Sequence, residues 1–251
     1  MHTSTALAGA PALTPMVRKF ERRAPLADED REALLALPYH VRRVATGGHI
    51  IRDGDKPEYC CLLLSGFAYR HKITGEGGRQ VLALHIAGDF VDLQNSLLEV
   101  SDHNVQTLTA AEVALIPRDV IKQLALERPA IGVAMWVDTL VDSSIFREWV
   151  VNVGRRDART RVCHILCEFS LRLEEAGLAE NHRYELPMTQ EQLADAVGLT
   201  SVHVNRVLRQ LGEEGLISRN KRAIVIEDWD RMREAGDFNA RYLHYDTCAA
   251  A

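Results

Sequence analysis

Residues 188–226 read MTQEQLADAVGLTSVHVNRVLRQLGEEGLISRNKRAIVI, and this stretch decides the carboxy-terminal fold. Thr189 has the character of a helix N-cap, with Gln192 three residues on to close a capping box. Leu193, Ala194 and Val197 then recur at helical spacing on one face. Gly198 stands where the chain must turn sharply, a position glycine fills without steric penalty. Thr200 or Ser201 caps a second helix whose buried stripe is Val204, Val207, Leu208 and Leu211. Its opposite face, Ser201, His203, Asn205, Arg206 and Arg209, is polar. Two helices joined by a short glycine-containing turn form a helix-turn-helix, and the polar face of the second has the chemistry a DNA major groove requires.

The residues beyond the second helix strengthen that reading. The β-branched run Ile224-Val225-Ile226 closes a hairpin with Arg219, Lys221 and Arg222 near its tip, a β-wing. Between Ser201 and Arg222 five cations (Arg206, Arg209, Arg219, Lys221, Arg222) stand against two anions (Glu213, Glu214), while the whole chain carries −5. A basic face on an acidic protein is an electrostatic footprint for phosphates. The residues expected to meet double-stranded DNA are therefore Thr189, Thr200, Ser201, His203, Asn205, Arg206, Arg209, Lys221 and Arg222.

The 251 residues, 47% hydrophobic and 26% charged, suit a two-domain globular protein. No apolar run reaches membrane-spanning length. Residues 1–25 read as a flexible tail, since the first sixteen lack the basic start and apolar core of a signal peptide. Residues 237–251 read as a second tail. Cys60, Cys61, Cys163, Cys167 and Cys248 form no Cys-x-x-Cys pair, which fits a reducing compartment and a cytoplasmic protein without membrane association.

Along the chain, residues 26–37 form a short amphipathic helix ended by Pro38. Residues 41–117 change texture to short apolar runs broken by Gly47-Gly48, Asp53-Gly54-Asp55, Ser65-Gly66 and Gly88-Asp89, the pattern of a β-barrel or sandwich. Helical periodicity returns after Pro117, with one helix over 118–127 and a longer one from Pro129. That longer helix is apolar on more than one face, so Met135, Trp136, Leu140, Val141 and Ile145 are a candidate dimer seam. Asn152-Val153-Gly154 interrupts the pattern and is the expected hinge, with the first helix of the DNA-binding domain after it. The expected domains are 26–128 for the barrel, 129–153 for the dimerisation helix and hinge, and 154–236 for the winged helix.

This order resembles the Crp/Fnr family of transcription regulators from about Leu26 to Gly236. The marks are Leu62-Leu63-Leu64-Ser65-Gly66, Gly88-Asp89-Phe90-Val91, Glu112 to Ile116, and Leu193-Ala194 to Asn205-Arg206. The resemblance implies an α+β chain with a cyclic-nucleotide-binding-type β-barrel, a long dimerisation helix and a winged helix-turn-helix. It also implies a homodimer, contact with RNA polymerase, and a signal in the barrel that reorients the two recognition helices, which requires a ligand of unequal affinity for the two arrangements. Arg206 matches the family's guanine-reading arginine, while the family's base-reading Glu, four residues earlier, is Val202 here.

The effector position departs from the best-known members. Nucleotide-binding relatives carry a Glu for the ribose shortly after Gly-Asp-Phe; here the neighbourhood is Asp92-Leu93. They carry Arg followed by Ser or Thr against the cyclic phosphate; here the stretch is Ser101-Asp102-His103, which removes a cation and adds an anion. Cyclic AMP is therefore not the expected effector, although Asp92, Leu93, Ser101, Asp102 and His103 still mark the candidate pocket. Oxygen-sensing members carry an amino-terminal cysteine cluster; here no cysteine precedes Cys60, and Cys60 and Cys61 point to opposite faces of a strand, against an iron–sulfur centre. His71, His85 and His103 have no telling metal-ligand spacing, though a haem stays compatible with them. Two other classes remain. A cupin-like metal enzyme needs convergent His and carboxylate ligands, and His85 has no second histidine two residues away. A partner-binding module without DNA contact requires the basic face to be buried.

Overall fold

The computed structural model describes residues 10–245, which divide into two compact units. Among these residues the first unit holds 10–72, 83–144 and 243–245; the second holds Ile73–Leu82 and Ile145–Tyr242.

The first unit opens with a 3-10 turn, Ala10–Leu13, and the helices α1 (Thr14–Glu21) and α2 (Asp28–Leu35). Residues 10–25 are thus no flexible tail. Leu13, Met16, Val17 and Phe20 recur at helical spacing and are buried in one core cluster with Cys60, Leu62, Phe90 and Ile116. Lys19 Nζ lies 2.9 Å from both Asp89 and Asp138, and Arg23 Nε lies 3.2 Å from Asp138. Those partners are scattered along the chain, which is why composition alone suggested a loose end. Residues 1–9 of the expected tail lie outside the described residues.

Seven strands come next: β1 (His40–Val44), β2 (His49–Ile51), β3 (Tyr59–Ser65), β4 (Ala68–Ile73), β5 (Arg79–His85), β6 (Asn104–Thr107) and β7 (Ala111–Pro117). They form two sheets, β1-β7-β3 and β2-β6-β4-β5, within the barrel-or-sandwich class expected, although the sheets do not close into one barrel. Strand β3 pairs antiparallel with β7, Cys60 opposite Ile116 and Leu63 opposite Val113. Alternate residues of β3 serve different cores: Cys60 and Leu62 join the cluster under the helices, Cys61 and Leu63 a second cluster with Ile51, Val105 and Val113. A strand covered on both faces reads as an unbroken apolar run, as 60–64 does. Gly66, at φ +82°, closes β3; a Cβ there would come 2.4 Å from the Ala110 carbonyl oxygen.

Helix α3 (Arg118–Glu127) leads to the long α4 (Pro129–Arg155). The expected hinge at Asn152-Val153-Gly154 is continuous helix: a single glycine weakens a helix by about 1 kcal/mol without breaking it, and buried Asn152 donates its amide to the Arg161 carbonyl at 3.3 Å. The break comes at Arg156, after which Asp157 caps α5 (Ala158–Glu175) by accepting the Thr160 N–H at 2.9 Å.

The second unit packs α5 with β8 (Arg183–Glu185), α6 (Gln190–Val197), α7 (Ser201–Glu213), β9 (Ile217–Asn220), β10 (Ala223–Ile226) and α8 (Trp229–Ala235). The wing hairpin β9–β10 is widened by β8, giving the order β8-β10-β9. Residues 237–245 are again no tail: Phe238 and Leu243 are buried, and the Tyr242 hydroxyl donates to Glu168 at 2.7 Å. Residues 246–251, the rest of that expected tail, lie outside the described residues.

Candidate nucleic-acid interface

Both helices of the 189–213 pair begin on a side-chain cap. Thr189 Oγ1 accepts the Gln192 N–H at 3.2 Å while the Gln192 side chain accepts the Thr189 N–H at 2.9 Å, closing the capping box. Gly198 ends α6 in the left-handed region at φ 64°, where a side chain is disfavoured. Thr200 Oγ1, not Ser201, accepts the His203 N–H at 3.3 Å and starts α7. Arg161 braces the turn from α5, donating to the Val197 carbonyl at 3.1 Å. Thr189 and Thr200 thus fix the entry angles of the two helices, each leaving a positive helix end at the surface.

Helix α7 buries Val204, Val207, Leu208 and Leu211. Ser201, Val202, Asn205, Arg206 and Arg209 are exposed, and His203 is half-buried. The stripe read from the sequence is therefore the packed face, and the polar face looks outward. The charges within 201–222 sort themselves unevenly. Glu213 lies 3.6 Å from Arg209, and Glu214 accepts from Arg159 at 2.6 Å, which holds the Glu214 carboxyl below its ordinary range. Arg206, Arg219, Lys221 and Arg222 are exposed and make no ion pair among the described residues. The two anions are thus occupied and four cations stay available to a polyanion. At the wing tip Lys221 adopts φ 55°, turning the chain in two residues between Asn220 and Ala223.

Sequence reasoning missed Arg183, exposed on β8 beside the wing, where β10 pairs Val225 with Arg183. Its short strand carries no alternation long enough to read. It also missed that Arg79, in the portion of the 73–82 hairpin belonging to this unit, lies 2.6 Å from Asp195 on α6; sequence separation hides such a pair.

Of the five residues expected at the effector position, Asp92, Leu93, Ser101 and His103 are buried and only Asp102 is exposed. Leu93 is core, Asp92 is fully buried with Oδ1 accepting the Cys61 N–H at 2.6 Å, and the Ser101 hydroxyl donates to the His103 carbonyl at 3.2 Å. The Asp102 side chain is 85% exposed and lies 2.8 Å from His103 Nδ1. Burial, with the Arg70 guanidinium next, holds His103 below its ordinary pKa. Arg70 itself lies 2.9 Å from Asp142 and donates to the Val91 carbonyl at 3.0 Å. Among the described residues, no three or more His, Cys, Asp or Glu side chains gather as a metal site. Cys60 and Cys61 point into different cores, and burial raises both thiols far above their ordinary range.

Burial pushes the Asp92 carboxyl up to about 7, against an ordinary 3.8, while the Cys61 N–H and Arg70 pull the other way. Between those two values the folded chain keeps a proton that the unfolded chain has released, so stability falls as pH rises through this window. Asn at this position keeps an acceptor for Cys61 and has no proton to lose. Asp92→Asn is expected to flatten the decline in melting temperature between pH 5 and 8, removing a dependence on the order of a few kcal/mol. Parallel melting curves for the two proteins across that range would contradict this.

Helix α4 separates the proposed seam residues. Met135 belongs to the core of the first unit and Val141 is buried, so neither faces a partner. A helix with two apolar faces does not reveal in its sequence which one turns inward. Ile145 is half-buried, whereas Trp136 and Leu140 are 67% and 52% exposed. Exposed positions recur in alternating steps of three and four: Val133, Trp136, Leu140, Ser143, Arg147 and Val150.

The Crp-like helix-turn-helix domain matches residues 160–235, and the cyclic nucleotide-binding domain matches residues 41–128. The chain is 28% identical over 222 residues to the transcriptional activator protein FnrL of Cereibacter sphaeroides, covering 86% of this chain and 89% of that protein. It is 25% identical to the nitrogen fixation regulation protein FixK of Azorhizobium caulinodans, over 75% of this chain and 76% of that one. FixK2 from Bradyrhizobium japonicum shares the fold at a TM-score of 0.75, with 23% identity over 81% of this chain and all of that one. Both matched domains, in this order, agree with the β-rich amino-terminal part, the helix-turn-helix that follows and the outward polar face of α7: the chain belongs to the Crp/Fnr family of DNA-binding transcription regulators.

Proposed function

We propose that the chain acts as a homodimer joined along the exposed stripe of α4, with one α7 per protomer read into successive major grooves of an inverted repeat. The observation carrying this is the outward face of α7, where Ser201, Asn205 and Arg206 stand exposed on a helix started by Thr200. Residues at the first turns of such a helix are those that reach base edges. Arg206 offers its planar fork to O6 and N7 of guanine, with Ser201, His203 and Asn205 adding polar contacts. Lys221 and Arg222 take phosphates, positioning the dimer without reading sequence. Thr189, at the positive end of α6, takes another. Arg209, close to Glu213, contributes less.

The stripe on α4 supports the dimer, because exposed Val133, Trp136, Leu140 and Val150 on one helix leave an apolar seam that a second copy of the same helix covers. The sheets of the first unit serve as the sensor, with RNA polymerase as the further partner. A DNA-reading protein of this kind works in the cytoplasm. Leu93 in the core and the absence of a cation at 101–103 argue against cyclic AMP as the signal.

Titration of a DNA duplex over a range of salt concentrations tests the reading. Each phosphate contact releases counterions, so Lys221→Ala should weaken all sequences alike and reduce the salt slope by about one unit per protomer. Millimolar cyclic AMP should leave the same titration unchanged. An unaltered slope in the variant would remove the wing from the interface.

A further inference from the structure

We propose that Val202 is a specificity residue that reads the 5-methyl group of a thymine close to the guanine taken by Arg206. The inference rests on the DNA-reading role of α7 proposed above and names a second base that this helix selects.

Val202 is 69% exposed, the one aliphatic side chain on the outward face of α7, among Ser201, Asn205, Arg206 and Arg209. The packed stripe is complete without it, since Val204, Val207, Leu208 and Leu211 already fill the buried face. It occupies the second position of the helix, immediately after Ser201, within the turn that approaches base edges. Val202 and Arg206 are four residues apart and therefore lie one above the other on the same face. One helical turn advances about 5.4 Å, and base pairs stack about 3.4 Å apart, so the two side chains address positions within about two base pairs of each other.

The chemistry of valine narrows the choice of base. It neither donates nor accepts a hydrogen bond, so it cannot satisfy the polar edges of guanine, adenine or cytosine. Thymine alone among the bases presents an apolar group in the major groove. A β-branched side chain in a helix has one strongly preferred rotamer, so its two methyls are held in place before DNA arrives. Opposite a cytosine, by contrast, Val202 would cover an amino donor without giving it an acceptor.

The test uses the full-length protein and a duplex obtained by selection from random DNA. Each thymine within two base pairs of the conserved guanine is replaced by uracil, which lacks the methyl group and keeps every hydrogen-bonding edge. Burial of one methyl predicts a loss of about fourfold per half-site, and about fifteenfold when both half-sites carry uracil. Val202→Ser, an exposed change at the helix start, should bind the thymine and uracil duplexes within about twofold of each other. Circular dichroism confirms that the variant is folded.

Equal binding of thymine and uracil duplexes by the unaltered protein overturns the proposal. So does a uracil loss that persists in Val202→Ser, since the methyl would then be read by another residue. Replacing the guanine by 7-deazaguanine probes Arg206 separately. Affinity unchanged by that replacement would count against the DNA-reading assignment itself, whatever the uracil result.

Discussion

Arg206→Ala is expected to lower operator affinity by roughly tenfold to a hundredfold per half-site, and by the product of both losses in the dimer, because one bidentate arginine–guanine contact discriminates by about 1–3 kcal/mol. The side chain is exposed and makes no ion pair among the described residues, so its removal leaves the fold intact. The variant should also lose base preference at one position of each half-site while keeping the salt dependence supplied by the wing. Arg206→Lys should recover only part of the affinity, since an ammonium is a point charge without the planar fork. Equilibrium titrations of the three proteins against one selected duplex check both statements. An Arg206→Ala protein with unchanged affinity would mean that α7 enters the groove through another face.

If two copies join along the α4 stripe as proposed, Trp136→Asp should leave a folded monomer. Trp136 is the most exposed large apolar side chain of the α4 stripe, so the substitution disturbs little of the folded chain, yet under the proposed dimer it places two carboxylates opposite each other at the seam. Leu140→Asp, one turn along, should act the same way. Linking two half-site contacts raises avidity by roughly 10²–10⁴ over one, so a monomer should lose about that factor on the inverted repeat while retaining its affinity for a single half-site. Light scattering at micromolar concentration reads the mass, and thermal melting reads the fold. A variant that stays dimeric would move the seam off this stripe.

The contrast between α7 and α4 shows what the sequence could convey. In α7 the polar and apolar residues segregate cleanly, so inward and outward faces were legible, and Val204, Val207, Leu208 and Leu211 are buried as read. In α4 apolar residues occur all round, and only packing decides that Met135 and Val141 turn inward while Trp136 does not. Local signals did well where one residue's chemistry suffices: Thr189 caps α6 and Gly198 ends it. They did poorly where the cause lies far along the chain. The amino-terminal residues Leu13, Met16, Val17 and Phe20 carry a helical stripe, but the Ala/Thr/Pro composition before them obscured it, and Asp89 and Asp138 supply the anchoring charges. The effector region was least legible of all. The neighbours Asp102 and His103 differ sharply in exposure, one side chain open and the other buried, and no local pattern in the sequence announces which is which.

Selection from random DNA with the unaltered, full-length protein tests the central claim most directly. The dimer reading predicts an enriched inverted repeat whose half-sites are centred about one helical turn, near 34 Å, apart, each with a guanine whose preference disappears when Arg206→Ala is put through the same selection. Enrichment of a single asymmetric site, or the same preferred bases from both proteins, would contradict it.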